Sequence, residues 1–349
     1  MVDRVILAEP RGFCAGVDMA IKALTWMVRL FEPPVYCYHE IVHNRWVVGA
    51  FEKVGVVFVD DISQVPEGSP VMLSAHGSAP EVVQGAERRA AVVIDAVCPL
   101  VTKVHHEVKR MARQGYDIIY VGHEGHDEAV GTVAEAPDAI TLVEPEHGLG
   151  EFRPADPAKV ALLAQTTLGM HEWQAVLDSA GDRFPELWTA RRGDLCYATT
   201  NRQTAVQALT ARCDLILVVG SDTSSNTRAL VRVAHEAGRA AHRIDSAEGI
   251  DDAWLEGVAT VGVTAGASAP DHLVQEVIDR LAPRLGFELL STTEEEEYFP
   301  LPPQLRAFVT TLQALVEASV TARSPFEPGR LERDREWTAT EALESIIGG

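Results

Sequence analysis

Three of the five cysteines in this 349-residue sequence occupy the same kind of position. Cys14, Cys98 and Cys196 each open an apolar pattern with helical spacing, and Gly12 and Gly16 flank the first of them. The similar intervals between the cysteines predict three related α/β units, each with one thiol at a helix N-terminus. A helix dipole at that position is expected to lower the thiol pKa and to favour the thiolate.

Three thiolates from separate segments suggest a metal or cluster site. A structural zinc site usually takes four ligands, often as paired C-x-x-C motifs, and the sequence contains no such pair. A 4Fe-4S cluster held by three cysteines would leave one iron free to bind substrate. Buried cysteines are also common as small apolar residues, which is the simplest interpretation of Cys37 and Cys213. Spacing and composition alone leave both interpretations open for the other three.

Short β-branched runs alternate with amphipathic stretches along the chain, a pattern typical of parallel sheets covered by helices. The predicted strands are RVILA, PVYCY, VVFV, VMLS, AVVID, DIIYVG, KVALLA, LILVVG and ATVGVT. Polar residues follow most of them, and the carboxyl ends of strands in open α/β sheets form the ligand crevice. The residues placed there are His76, His123, His126, Glu128, Thr166, Thr167, Ser224, Ser225, Asn226 and Ser268.

The composition of the chain excludes several classes of protein. The chain is 46% hydrophobic and 23% charged, as in ordinary globular proteins, and its net charge of -21 argues against a nucleic-acid or anionic-membrane surface. No stretch approaches the roughly 18 consecutive apolar residues of a spanning helix, and the start of the chain lacks the features of a signal peptide. We therefore expect a cytoplasmic protein that binds neither nucleic acid nor membrane.

Nine motifs together resemble the 4-hydroxy-3-methylbut-2-enyl diphosphate reductase family, also called IspH or LytB. They are PRGFCAGVDMAI, HEIVHNRWVV, LSAHGSAP, DAVCPLVTKVH, GHEGHDEAVGT, QTTLGM, CYATTNRQ, VVGSDTSSNTRAL and GVTAGASAPD. The resemblance runs in family order from about residue 4 to about residue 306. It implies an iron-sulfur oxidoreductase at the last step of the methylerythritol phosphate route of isoprene biosynthesis.

The resemblance also implies roles for individual residues. Cys14, Cys98 and Cys196 match the ligands of a 4Fe-4S cluster with one open iron, and Glu128 and Thr166 match the catalytic proton donor and a threonine near the substrate hydroxyl. Thr167 and Asn44 belong to the same motifs in secondary roles. The residues that match the diphosphate-binding set are His43, His76, His126, Ser224, Ser225, Asn226 and Ser268.

The implied reaction is reductive loss of an allylic hydroxyl, giving isopentenyl and dimethylallyl diphosphate. Electrons would come from a donor such as ferredoxin or flavodoxin, and the enzyme would be a monomer or a homodimer. Three alternatives stay open on the sequence: a paralogue that reduces another allylic substrate, a non-redox iron-sulfur hydratase or dehydratase, and a cluster-based sensor or electron carrier.

The expected fold is α/β, with three pseudo-related α/β subdomains around a central cleft that contains the cluster. The predicted units are residues 12–97, 98–195 and 196–302, with strand 1–11 joining the third, and 303–349 form a C-terminal extension of unknown role. Apolar spacing at Phe308, Leu312, Leu315 and Val316 predicts a helix in the extension, and the following SPFEPGRLERDREW is expected to be a surface appendage.

One residue departs from the family pattern. Asp127 stands beside Glu128 where the family usually has proline. If both carboxylates face the pocket, each is expected to raise the pKa of the other.

Overall fold

A computed structural model describes residues 2–150, 152–190, 193–319 and 334–347. The strands are β1 Arg4–Glu9, β2 Val35–Tyr38, β3 Val56–Val59, β4 Pro70–Leu73, β5 Val92–Asp95, β6 Asp117–Val121, β7 Ile140–Val143, β8 Val160–Ala164, β9 Trp188–Thr189, β10 Leu215–Val219, β11 Ala240–Ile244, β12 Thr260–Ala265 and β13 Phe287–Ser291. The helices are α1 Ala15–Leu30, α2 Arg45–Glu52, α3 Pro80–Arg89, α4 Pro99–Arg113, α5 Asp127–Val133, α6 Met170–Arg183, α7 Tyr197–Thr210, α8 Ser225–Glu236, α9 Asp271–Leu281, α10 Pro303–Ser319 and α11 Ala339–Ile347.

The strands form three separate sheets, and the strand pairs within each sheet are parallel. Their orders are β3-β2-β4-β5, β7-β6-β8-β9 and β11-β10-β12-β1-β13. Every residue of the central strands β8 and β10 is buried, as expected where helices cover both faces of a parallel sheet. The predicted α/β class with three sheets is confirmed.

The first strand lies in the sheet of the last third of the chain. β1 pairs with β12 on one side and with β13 on the other, so that Leu7 is in register with both Val263 and Leu289. This pairing is the one expected for strand 1–11. It brings the segment that carries Cys14 beside the loop that follows β12, where the backbone N–H of Cys14 donates to the carbonyl of Ala267 over 3.2 Å.

The chain divides into two compact units. The first comprises residues 1–14, 43–45 and 100–296, and the second comprises residues 15–42, 46–99 and 297–349. The first contains the two sheets built from β1 and β6 to β13, with apolar clusters on both faces. Within the described residues, no helix is both long enough and apolar enough to cross a membrane.

The second unit contains the remaining sheet, and its C-terminal segment packs on α1. The buried ammonium of Lys22 lies 2.9 Å from Asp18 Oδ2 and 3.4 Å from Asp334 Oδ1, and it donates to the backbone carbonyl of Asp334 over 2.8 Å. Tyr298 donates its hydroxyl to the same Asp334 carboxylate, and Trp337 meets Trp26 edge-on at 6.1 Å. Residues 334–337 are therefore not a surface appendage, because they supply a buried ion pair and an aromatic contact.

The expected helix in the extension is present as α10, and Phe308 stacks on Phe31 of α1 at 5.5 Å. Leu312 is half-buried, whereas the side chains of Leu315 and Val316 lie outside the described residues. Most of the expected appendage, residues 324–333, also lies outside them.

Candidate active site

Glu128 and Thr166 form the centre of the site. Glu128 stands in the first turn of α5, and Thr166 follows β8, so both lie at the carboxyl end of the second sheet. The backbone N–H of Thr166 donates to Glu128 Oε1 over 2.6 Å, and its hydroxyl donates to Oε2 over 3.0 Å. Both side chains are buried, with 3% and 4% of each residue exposed. The carboxyl group is thus held in one orientation.

The pKa of Glu128 is raised to about 7, mainly because burial penalises the charged carboxylate. The two hydrogen bonds from Thr166 act in the opposite direction, and the charge of Asp194 adds to the rise. The acidic neighbour that raises this pKa is therefore Asp194, which was not expected, rather than the adjacent Asp127. A carboxyl group with this pKa keeps a large protonated fraction at neutral pH, which suits a general acid.

Thr166 also connects this acid to one of the cysteines. Its carbonyl accepts a hydrogen bond from the backbone N–H of Cys196 over 3.0 Å. Cys196 is the N-cap residue of α7, and its sulfur accepts from the backbone N–H of Thr199 at 3.3 Å and contacts the Thr199 hydroxyl at 3.0 Å. A single residue therefore bonds both the buried carboxyl group and the backbone of a thiol-bearing residue.

The expected low thiol pKa is wrong for Cys196. Burial and then the neighbouring thiol of Cys14 raise its pKa to about 11, and the hydrogen bonds from Thr199 offset only part of this. The stabilisation that one helix N-terminus gives a thiolate is smaller than the free-energy cost of burying that thiolate beside a second thiol. The placement of the three cysteines is nevertheless as predicted, since α1, α4 and α7 begin directly after them.

Arg202 supports the loop before Cys14, a role that the sequence did not indicate. This fully buried guanidinium donates to the carbonyl of Gly12 over 2.8 Å and pairs with Glu295 at 2.9 Å. Gly12 adopts φ +66°, and a Cβ there would approach the carbonyl oxygen of Ala269 to 3.1 Å. Glycine is thus required both for the backbone conformation and for the close approach.

A group of polar donors lies at the N-terminus of α8. Ser224 caps the helix by accepting from the N–H of Thr227, and Asn226 Oδ1 accepts from the N–H of Ala267 over 3.1 Å. In the part of the chain that the structure describes, Ser225 Oγ and Asn226 Nδ2 are buried without a hydrogen-bond partner. Buried donors at a helix N-terminus form a ready anion-binding site, because an anion would satisfy them.

Two of the predicted histidines lie together. The rings of His43 and His126 meet edge-on, with centroids 5.1 Å apart, and the hydroxyl of Ser268 donates to the backbone carbonyl of His43 over 2.9 Å. His126 Nδ1 accepts from the backbone N–H of Glu128 over 3.2 Å, which assigns its proton to Nε2. Burial, followed by the neighbouring His43, lowers the pKa of His126 to about 3, so this imidazole is neutral.

The second unit holds the remaining two predicted site residues. His76 follows β4 and Cys98 follows β5, and the backbone N–H of Cys98 donates to the carbonyl of Ala75 over 3.0 Å. The two residues are half-buried. Cys37 and Cys213 are buried among apolar residues, and burial raises the pKa of both thiols, as expected for structural cysteines.

The first unit therefore brings together most of the predicted set. These residues are Cys14, His43, His126, Glu128, Thr166, Cys196, Ser224, Ser225, Asn226 and Ser268. Of the two secondary residues, Asn44 is buried, and Thr167 accepts a hydrogen bond from the side chain of Gln165 over 2.9 Å.

Comparison with known proteins identifies the family. A family model described as LytB protein matches residues 5–282. The chain belongs to the LytB family. All the predicted site residues lie within the matched range, whereas Glu295 and the C-terminal segment that packs on α1 lie outside it.

Curated relatives in the LytB family bear the name 4-hydroxy-3-methylbut-2-enyl diphosphate reductase. The protein from Mycolicibacterium paratuberculosis is 51% identical over 308 residues, which cover 87% of this chain and 92% of that protein. The protein from Streptomyces coelicolor is 50% identical over 307 residues, which cover 87% and 90% respectively.

The structural relatives agree with this assignment to the LytB family. The structure of E-1-hydroxy-2-methyl-but-2-enyl-4-diphosphate reductase from Plasmodium falciparum superposes with a TM-score of 0.86 and 33% identity, covering 90% of this chain and 100% of that one. A second structure, described as the reductase that is the terminal enzyme of the non-mevalonate pathway, gives a TM-score of 0.56 and 31% identity. It covers 81% of this chain and 99% of its own.

Proposed function

We propose that the chain is an oxidoreductase that removes the allylic hydroxyl of 4-hydroxy-3-methylbut-2-enyl diphosphate as water. The products are isopentenyl and dimethylallyl diphosphate, which end the methylerythritol phosphate pathway. Relatives that share half of the sequence carry this activity in their names. The observation in this chain that carries the proposal is the buried Glu128, held by Thr166, which in turn bonds the backbone of Cys196.

The cofactor in this proposal is a 4Fe-4S cluster held by Cys14, Cys98 and Cys196, with one iron left without a protein ligand. The donor set fits, because soft thiolates are the ligands that iron-sulfur clusters require. Burial and the neighbouring Cys14 thiol disfavour ionisation of Cys196, so a bound cation would supply the positive charge that the thiolates need. When bound, the cluster would pass electrons one at a time from an external donor and would offer an open Lewis-acid position. The role of Cys98 rests on the family motif.

The diphosphate is held in this proposal by uncharged donors and histidines rather than by lysines. Ser225 Oγ and Asn226 Nδ2 are buried donors that an anionic oxygen would satisfy. Ser224 shapes this helix terminus and Ser268 fixes the backbone of His43. His43, His76 and His126 supply imidazole N–H donors. A chain with a net charge of -21 thus binds an anion through local groups.

Glu128 supplies protons in the proposed reaction. Replacement of the hydroxyl by hydrogen consumes two electrons and two protons, since one proton leaves in water and the other joins the allylic carbon skeleton. The raised pKa lets Glu128 carry a proton at neutral pH, and the hydroxyl of Thr166, 3.0 Å from the carboxylate, orients it. A small redox protein such as ferredoxin or flavodoxin delivers the electrons.

An anaerobic assay tests the proposal. The purified holoprotein is mixed with 4-hydroxy-3-methylbut-2-enyl diphosphate and a reduced viologen dye, and the five-carbon diphosphates are measured. Dye oxidation that depends on substrate, with both products formed, supports the reductase. Turnover without reductant would indicate a hydratase or dehydratase. Failure of a cluster-loaded protein to turn over this substrate would contradict the proposal and favour a paralogue or a sensor.

A further inference from the structure

Arg202 joins the two backbone segments that carry Cys14 and Cys196. It lies on α7, the helix that Cys196 caps, and its guanidinium donates to the carbonyl of Ala198 over 3.0 Å and to the carbonyl of Gly12 over 2.8 Å. Ala198 is two residues after Cys196, and Gly12 is two residues before Cys14. One side chain therefore ties both segments together within two residues of each cysteine.

Glu295 supplies the counter-charge that this buried guanidinium needs. The side chain of Arg202 is 0% exposed, and its Nη1 atom lies 2.9 Å and 3.2 Å from the two carboxylate oxygens of Glu295. Asn201 donates to the same carboxylate over 3.1 Å. The other glutamates of the EEEE run at 294–297 are exposed, whereas the side chain of Glu295 is only 15% exposed. The bridge between the two segments thus carries no net charge.

The bonds to the two carbonyls distinguish this bridge from a buried ion pair that serves stability alone. Replacing both partners of such a pair by well-packed apolar residues is often neutral for stability. The planar guanidinium, however, donates in fixed directions, so it also fixes the groups that accept from it. Gly12 is held on a second side, since a Cβ there would approach the carbonyl oxygen of Ala269 to 3.1 Å. The backbone before Cys14 is therefore specified by close contacts.

We propose that Arg202 is a positioning residue for the cluster, which holds the backbone before Cys14 against the first turn of α7 so that Cys14 and Cys196 bind the same cluster. The inference rests on the proposed function, because it takes these two cysteines as cluster ligands. Residues that orient metal ligands without touching the metal are common, and their loss typically lowers metal affinity by roughly 10- to 100-fold.

The test measures how fast an iron chelator removes the cluster from the anaerobic holoprotein, followed by the loss of cluster absorbance. The main variant combines Arg202→Met with Glu295→Gln, so that no buried charge is left unpaired. It lacks the bonds to Gly12 and Ala198, and we expect cluster loss on the order of 10-fold faster than in the wild type. Glu295→Gln alone keeps both carbonyl bonds and should lose the cluster at close to the wild-type rate.

Asp334→Ala controls for general destabilisation, because it breaks a buried ion pair with Lys22 in the second compact unit. We expect it to keep the wild-type rate of cluster loss even where its unfolding free energy falls as far as that of the double variant. The electron paramagnetic resonance spectrum of the reduced cluster should change in the double variant and not in Asp334→Ala. Equal effects in the two, or wild-type behaviour of the double variant, would overturn the positioning role.

Two further variants separate this inference from the proposed function. Cys14→Ser and Cys196→Ser are taken through the same reconstitution and chelator challenge. If both retain full cluster absorbance, the cluster assignment in the proposed function fails, and the role of Arg202 fails with it. If they lose the absorbance while the double variant behaves as the wild type, only the role of Arg202 is overturned.

Discussion

Thr166 donates two hydrogen bonds to the carboxylate of Glu128, one from its backbone N–H at 2.6 Å and one from its hydroxyl at 3.0 Å. The same residue accepts from the backbone N–H of Cys196. The buried acid and a proposed cluster ligand are thus fixed relative to each other by one residue at the end of β8. In the proposed reaction, the proton donor Glu128 therefore lies close to a ligand of the cluster that transfers electrons.

The pH dependence of turnover follows from the pKa of Glu128, about 7. A general acid must be protonated, so we expect kcat to be high below about pH 7 and to fall above it. Thr166→Val removes a hydroxyl hydrogen bond that lowers this pKa, and the falling limb should move to higher pH. A pH profile of anaerobic kcat measures both effects. If kcat falls over the same pH range in the Thr166 variant as in the wild type, Glu128 is not the titrating group.

The ionisation of Glu128 should also make the free energy of unfolding depend on pH. The folded-state pKa of Glu128 is raised from 4.5 to about 7, so folding becomes less favourable as the pH rises between these values. Glu128→Gln cannot ionise. Above about pH 7 it should exceed the wild type in unfolding free energy by up to about 3 kcal/mol, and near pH 4 the two should be similar. Denaturant unfolding at both pH values is the measurement, and equal stabilities above about pH 7 would contradict the raised pKa.

Cluster loading should depend on three cysteines and not on the other two. We expect Cys14→Ser, Cys98→Ser or Cys196→Ser to remove most of the 4Fe-4S absorbance after anaerobic reconstitution. Cys37→Ser and Cys213→Ser are the matched controls, because both thiols are buried in apolar surroundings. Bleaching in either control, with its fold intact by circular dichroism, would show that the ligand assignment is wrong.

The C-terminal segment should contribute to stability through Asp334. Asp334→Ala removes one partner of the buried Lys22 and an acceptor of Tyr298. Loss of one partner from a buried ion pair typically costs about 3 kcal/mol or more, although Asp18 remains within 2.9 Å of Lys22. We therefore expect a clear fall in unfolding free energy. Glu344→Ala, at an exposed position of α11, is the control and should change it by less than about 0.5 kcal/mol.

The nine strands that the sequence predicts are all present, and the missed strands share one property. β7, β9, β11 and β13 all lie at sheet edges. Strands at the centre of a parallel sheet are buried on both faces and form continuous apolar runs, such as LILVV in β10. β13 has the sequence FELLS, in which Phe287 and Leu289 are exposed, and so lacks that pattern. An edge strand has only one neighbouring strand to constrain its sequence, and the edge strands β3 and β5 were predicted because their sequences, VVFV and VVID, are still continuous β-branched runs.

Some residues of the candidate site could be proposed from the sequence, and others could not. Local patterns and family motifs were sufficient to propose Cys14, Cys196, Glu128 and Thr166, because each of them follows a strand or lies at the start of a helix. Arg202 and Thr199 could not be found from spacing, because their roles depend on contacts made only in the folded chain.

The pKa values of the site residues could not be predicted from the sequence either. Burial decides the pKa of Cys196 and of Glu128, and Asp194 rather than the adjacent Asp127 adds to the rise at Glu128. Neither effect can be obtained from neighbouring positions along the chain.

The most direct measurement is anaerobic kcat with 4-hydroxy-3-methylbut-2-enyl diphosphate for Glu128→Gln against the wild type, each with its cluster absorbance and pyrophosphate affinity. The substitution keeps the shape of the side chain and removes the transferable proton. We predict a fall in kcat by a factor on the order of 100 or more, with absorbance and affinity nearly unchanged. Turnover at the wild-type rate would contradict the role of Glu128 as proton donor, and loss of the cluster would show that its role is structural.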